Sequence, residues 1–235
     1  MRSDKKQAPG VGARASRGSG AGAKGVKIGL RGSVVRNPEQ REEQRRQILA
    51  AAGQVFARKG YEGSTMDDIA AEMGCSKGIL YYQFQSKQDL IVETRRVASG
   101  SAADRLEEIA ARPRPVLERM ELAVRDLIVT NFDDFSRHVI LTSITQGLDA
   151  AHVAQVRLIE RRYEKALIAL LEEGMAAGLF VPGNVKAIAF TIIQTCLSPA
   201  RWFRDGKDTS AEEVTDVVTG MVLRGLRPPL ADRER

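Results

Sequence analysis

Metal and redox chemistry depend on side chains that this chain scarcely has. Its 235 residues include two cysteines, Cys75 and Cys196, and two histidines, His138 and His152. The cysteines lie far apart, and neither has a second cysteine or histidine at metal-ligand spacing. That argues against a metal site or a disulfide framework and fits a reducing compartment. No apolar run reaches membrane-spanning length, since the best stretch, residues 187–197, is interrupted by Thr191, Gln194 and Thr195. The basic N-terminus lacks the apolar segment of a secretory signal, so a cytoplasmic protein with no membrane partner is expected. No glycine-rich phosphate loop follows a strand, because no alternating strand pattern of useful length exists. The acidic pairs Glu107-Glu108 and Glu172-Glu173 point apart on helices as solvated faces. The chain therefore reads as no enzyme, with no catalytic residue, no metal and no cofactor. Aromatics make up only 5% of it, which suits an all-α protein rich in alanine and leucine.

Charge is present, but unevenly. Residues 1–37 hold nine lysines and arginines against one aspartate, a balance of +8, so the rest of the chain sums to −2 and the net charge of +6 comes entirely from this end. Eight glycines and almost no large apolar residue accompany them, which predicts a disordered basic tail. Such a tail is either an arm making non-specific phosphate contacts or a solvated extension without a partner.

From Glu39 onward helical periodicity prevails. Ile48, Leu49, Ala52, Val55 and Phe56 line one face of a first long helix, and Gly60 to Gly63 break it. A later helix begins at Lys87 and ends before Pro113 and Pro115. Further helical patterns run over residues 116–132, 138–148, 151–177, 185–204 and 211–226, punctuated by Gly178, Pro182-Gly183 and Asp205-Gly206-Lys207.

Residues 64–91 carry the most chemistry. Thr65 can cap a helix with Asp68 three positions on, Met66, Ile69, Ala70 and Met73 give that helix one buried face, and Gly74 ends it. Ser76 can cap a second helix, Lys77 to Phe84, anchored by Leu80 and Phe84. This is helix-turn-helix spacing, in which the second helix enters the DNA major groove. Its exposed positions would be Lys77, Gly78, Tyr81 and Tyr82. Two adjacent exposed tyrosines suit phosphate and sugar, and Gly78 removes a side chain where the groove must come close. An ordinary helical hairpin with its tyrosines on a neighbouring core is the alternative.

The string Gly-Cys-Ser-Lys-Gly-Ile-Leu-Tyr-Tyr-Gln-Phe over residues 74–84, followed by Ser-Lys-Gln-Asp-Leu, resembles the tetracycline-repressor (TetR) family of bacterial regulators. So do Arg46-Gln47-Ile48-Leu49-Ala50-Ala51-Ala52, Phe56-Ala57-Arg58-Lys59-Gly60-Tyr61 and Ser64 to Ala70. Gln83 departs from the pattern, standing where many members carry histidine or tyrosine. The resemblance implies a DNA-binding domain at 38–87 and a helical effector-binding and dimerisation domain at 88–235. It implies DNA contacts among Thr65, Ser76, Lys77, Gly78, Ile79, Tyr81, Tyr82 and Lys87. It also implies a homodimer built on the last two long helices, whose apolar stripes include Ile188, Ile192, Val214, Val217, Val218 and Met221.

An effector site is expected at Arg201 and Trp202. There a proline-interrupted apolar helix, an arginine for an anion and the sole tryptophan fall together. Burial of Trp202 in the core and a salt bridge for Arg201 is the competing reading. Ala200-Arg201-Trp202-Phe203 resembles, more weakly, TetR-like regulators of lipid, sterol or aromatic-acid breakdown, some of which respond to acyl-CoA thioesters. The expected function is a repressor released from a palindromic operator by a small molecule. A constitutive architectural DNA-binding protein without effector is the alternative.

Overall fold

The computed structural model describes residues 37–142, 147–204 and 209–229. The tail expected over residues 1–37 lies outside these apart from Asn37. That residue caps α1 (Pro38–Lys59): its Oδ1 accepts from the Glu39 N–H at 3.0 Å, and Pro38 takes the first helical position. The chain continues through α2 (Met66–Met73), α3 (Lys77–Gln83), α4 (Lys87–Ala110), α5 (Val116–Val129) and a 3-10 turn (Thr130–Phe132). Then follow α6 (Asp134–Leu141), α7 (Ala150–Ala176), α8 (Val185–Leu197), α9 (Pro199–Trp202) and α10 (Ala211–Leu226), with no strand among the described residues.

Local chemistry sets the boundaries. Thr65 and Asp68 form the reciprocal capping box of α2, and Gly74 ends the helix at φ 63°, ψ 33°, a left-handed cap that glycine adopts without strain. Ser210 and Glu213 repeat the box at α10. Three expected spans need correction. Phe84 is not part of α3 but an extended residue that caps it, still buried beneath it. The helix expected over 138–148 is α6, started early by the Asp133 carboxylate accepting from the Ser136 N–H at 2.8 Å. It stops at Thr142, whose hydroxyl donates back to the His138 carbonyl.

The helix expected over 185–204 breaks at Ser198-Pro199. Proline has no N–H to continue the ladder, and Asn131 supplies what the break removes. Its amide donates to the Cys196 carbonyl at 2.8 Å and the Ile128 carbonyl at 2.6 Å, while its oxygen accepts from the Ala200 N–H at 3.0 Å. Arg137 adds bonds of 3.1 Å to the Ala200 and Phe203 carbonyls, tying α6 to α9.

Two apolar clusters form. One joins α1, α2, α3 and the first turn of α4, from Ile48 to Ile91, and Phe135 and Leu148 pack against it. The other spans α4, α5, α7, α8 and α10, from Ala102 to Leu226. Helix α4 belongs to both, and the segment between Ile91 and Ala102 bridges them.

Candidate DNA-reading head and effector cavity

The reading head is built from α2 and α3. Leu80 is the one fully buried side chain of α3, and Ile79 packs partly against the same cluster. Its other face is open: Tyr81 and Tyr82 are 52% and 49% exposed, far from the core positions of a plain hairpin. The Arg41 guanidinium stands 5.5 Å over the Tyr82 ring, extending a cationic and aromatic surface onto α1. Lys77 is exposed and paired at 2.5 Å with Asp67, a surface contact that a phosphate or base can displace at a cost of ~1 kcal/mol or less. Gly78 is exposed, and a Cβ there would meet only Ser76 Oγ at 3.8 Å, so internal packing does not demand glycine. Ser76 takes the cap position but makes no side-chain cap bond, leaving its hydroxyl available. Gln83, the departure from the resembled pattern, donates to Gln44 on α1 at 3.3 Å.

Two candidate DNA contacts are engaged within the protein. Thr65 gives both its amide and its hydroxyl to Asp68 Oδ2, at 3.0 and 2.9 Å, and its oxygen caps the Asp68 N–H. Lys59 holds that carboxyl below its usual range, helped by the Thr65 bond. Lys87 donates to the carbonyls of Tyr61 and Ser64 at 2.7 and 2.8 Å and lies 4.4 Å from the Tyr61 ring centre. Burial pushes its ammonium pKa down, with Glu62 opposing. The physical role of Lys87 is to clasp the α1–α2 loop to the start of α4. Sequence reasoning placed it at this junction without these internal acceptors.

About two to three turns further along α4, at Arg95 to Ser99, a cavity of about 530 Å³ opens among α4, α6, α7 and α8. Apolar walls come from Val139, Ile140, Phe190, Ile193 and Leu197, and the polar lining includes Arg95, Glu160 and Tyr163. Arg201 lines the cavity and is exposed, which puts it on the solvent side. Trp202 does not line it: the ring is 55% exposed and meets the edge of Phe203 at 6.4 Å. The short α9 turns the indole outward, which overturns the reading that buried Trp202 in the core. Burial pushes the neighbouring Cys196 thiol up to about 12, so it is inert apolar filling. Sequence reasoning missed Arg95 and Glu160. The available signal was an arginine directly after Leu90, Ile91, Val92 and Thr94, all of which are buried.

Two further features frame the site. Between α8 and α10 lies a shallow apolar groove of about 390 Å³, with Met221 58% exposed on its rim and Val217 59% exposed nearby. Where α4 meets α7, His152 bridges Asp149 at 2.8 Å and Asp89 at 3.3 Å, and the Asp149 N–H donates to Gln88. Among the described residues no group of three histidine, cysteine or acidic side chains could hold a metal, and no helix is long and apolar enough to cross a membrane.

Known proteins share this fold. Residues 48–94 match the family described as bacterial regulatory proteins, tetR family, and residues 113–226 match the tetracyclin repressor-like C-terminal domain. The transcriptional repressor KstR2 of Mycolicibacterium smegmatis is 27% identical over 202 residues, covering 83% of this chain and 97% of the relative. The fold of AibR, solved with isovaleryl coenzyme A and operator DNA, superposes with a TM-score of 0.69 at 24% identity, over 80% of this chain and all of that one. FadR from Bacillus subtilis, solved with stearoyl-CoA, superposes at 0.63 and 22% identity, over 77% and 99%. With helix-turn-helix and C-terminal regions both matched in order, the chain belongs to the tetR family of bacterial regulatory proteins.

Proposed function

We propose that the protein is a homodimeric repressor that leaves a palindromic operator when a small apolar acid or its acyl-CoA thioester fills the cavity. The observation carrying this reading is α4: one continuous helix runs from the clasp behind α3 to the cavity wall at Arg95. A ligand that favours one α4 position shifts the population between DNA-competent and incompetent states. KstR2 is a repressor, and AibR and FadR hold acyl-CoA molecules, which supports both halves of the reading. The boundary near residue 87 fits this division of labour, although the reading head's core extends into the first turn of α4.

DNA contacts fall to Ser76, Lys77, Gly78, Tyr81 and Tyr82, with Ile79 holding α3 onto its support. Lysine can donate to guanine O6 and N7, while the tyrosines and Ser76 serve phosphate and sugar. The groove between α8 and α10 takes a second copy, which supplies the paired α3 helices that a palindrome needs. The test is selection of an operator from random duplex DNA, followed by Tyr82→Ala. Weaker binding to every sequence with an intact dimer supports the reading. Unchanged affinity removes α3 from the interface.

A further inference from the structure

We propose that the inner part of the cavity is a carboxylate site built on Arg95. The effector is then an apolar molecule with a free carboxylate: a simple acid, or a thioester whose acyl chain bears a second acid group. This rests on the ligand-responsive reading above and specifies what its cavity selects.

Arg95 has unmet hydrogen-bonding capacity. It carries five N–H donors in a planar fork, and its side chain is only 15% accessible. Nη2 donates to the Thr142 carbonyl at 2.5 Å. Nη1 lies 3.9 Å from Glu160 Oε1, too far for a hydrogen bond. Nε is buried with no partner among the described residues. A buried cation is tolerable only when acceptors surround it, and among the described residues this one hydrogen-bonds a single acceptor, the Thr142 carbonyl.

Glu160 is a slack counter-ion. Its side chain is 44% accessible at that long separation, so it can swing aside. Burial raises its carboxyl pKa, Arg95 opposes, and Glu164 adds to the rise. An entering anion that sits closer than 3.9 Å competes well for the guanidinium. Its fork matches the two oxygens of a carboxylate.

The rest of the cavity fixes the class of molecule. Val139, Ile140, Phe190, Ile193 and Leu197 require a hydrocarbon body, which inorganic phosphate lacks, and about 530 Å³ suits a ligand of drug size. Arg201, the second cation of the lining, is exposed and so pairs under solvent screening. Arg95 also lies eight residues beyond Lys87 on the same helix, about 12 Å along its axis. A ligand that pulls on Arg95 thus acts directly on the element that carries the reading head.

Calorimetric titration of the full chain with four probes tests this: octanoate, methyl octanoate, octanoyl-CoA and suberyl-CoA, the monothioester of octanedioic acid. The expected result is at least tenfold tighter binding of octanoate than of methyl octanoate, or of suberyl-CoA than of octanoyl-CoA. Whichever pair discriminates identifies the source of the carboxylate. Arg95→Gln should erase the preference, a loss of roughly ten- to hundredfold for the carboxylate member, and leave its counterpart without the carboxylate unchanged. Glu160→Gln, which keeps Arg95 and a similar shape, should strengthen the carboxylate member alone. Equal affinities within both pairs overturn the proposal. So does an equal loss for all probes in Arg95→Gln, or an unaltered preference in Glu160→Gln. Should the glutamine variant at 95 not fold, Arg95→Lys and Glu160→Gln carry the test. A carboxylate preference without any operator release would instead sink the ligand-responsive reading and leave the site standing. If no probe binds, both fall.

Discussion

Asn131 is the most exposed weakness of the effector domain, and Asn131→Ala shows why. The side chain is 1% accessible and bridges both sides of the Ser198-Pro199 break. Truncation leaves the Cys196 carbonyl and the Ala200 N–H without their Asn131 partner at a buried site. An unsatisfied buried polar group costs about 1–3 kcal/mol, so the pair predicts a loss of about 2–4 kcal/mol once partial relaxation is allowed. For a chain of this length that corresponds to a fall in Tm of about 5–15 °C. Urea and thermal unfolding at fixed protein concentration measure it, since dimerisation makes Tm concentration-dependent. Asn131→Asp keeps the acceptor for Ala200 but sets a carboxylate against two carbonyls, and should fare no better than alanine. Because Thr130, Leu197, Ser198 and Arg201 line the cavity, the alanine variant should also lose effector response at temperatures where it remains folded. A loss below about 1 kcal/mol would refute the reasoning, by showing that the break needs no side-chain bridge.

Other predictions address the remaining elements. Gly78→Ala should stabilise α3, by up to about 0.5–1 kcal/mol, yet weaken operator binding, because no internal contact opposes the new methyl group and only the DNA would meet it. Calorimetry and mobility shifts on one sample read both effects, and unchanged operator affinity would place Gly78 away from the groove. Val217→Glu combined with Met221→Glu should leave a folded monomer by light scattering with its operator affinity lost; a persistent dimer would move the interface elsewhere. The His152 bridge should hold best between about pH 4 and 6.5. Asp149 and then Asp89 raise the His152 pKa, so its contribution is complete below the ordinary histidine value and lost as pH rises through the folded one. Asp89 and Asp149 are lowered, by the Ser86 bond and the His152 N–H respectively, so theirs is lost as pH falls through the folded values. Amide exchange at the start of α7, corrected for intrinsic rates, should be slower at pH 6 than at pH 8, and His152→Gln should abolish the difference.

Local patterns were legible in the sequence; distant partnerships were not. The capping box at Thr65, the stop at Gly74 and the spans of α2 and α10 follow from spacings of three or four residues. The start of α6 did not, because Asp133 competes as a cap with the apolar pattern that pointed to His138. Lys87 was legible as a junction residue, but its acceptors lie 23 to 26 residues away, beyond the reach of any local pattern. Arg201 was found through its proline-marked neighbourhood. Arg95 was not, since Arg95-Arg96 resembles a solvated pair until α7 brings Glu160 against one member of it.

The central claim is that occupancy of the cavity controls the reading head through α4. Its most direct test is operator affinity of the full chain, measured at fixed salt against rising octanoate and acyl-CoA thioesters of increasing length. At least one of them should weaken operator binding severalfold, and operator DNA should weaken binding of that same ligand by the same factor. Operator affinity that stays constant across the series, with the ligands bound, would contradict it and leave a constitutive DNA-binding protein.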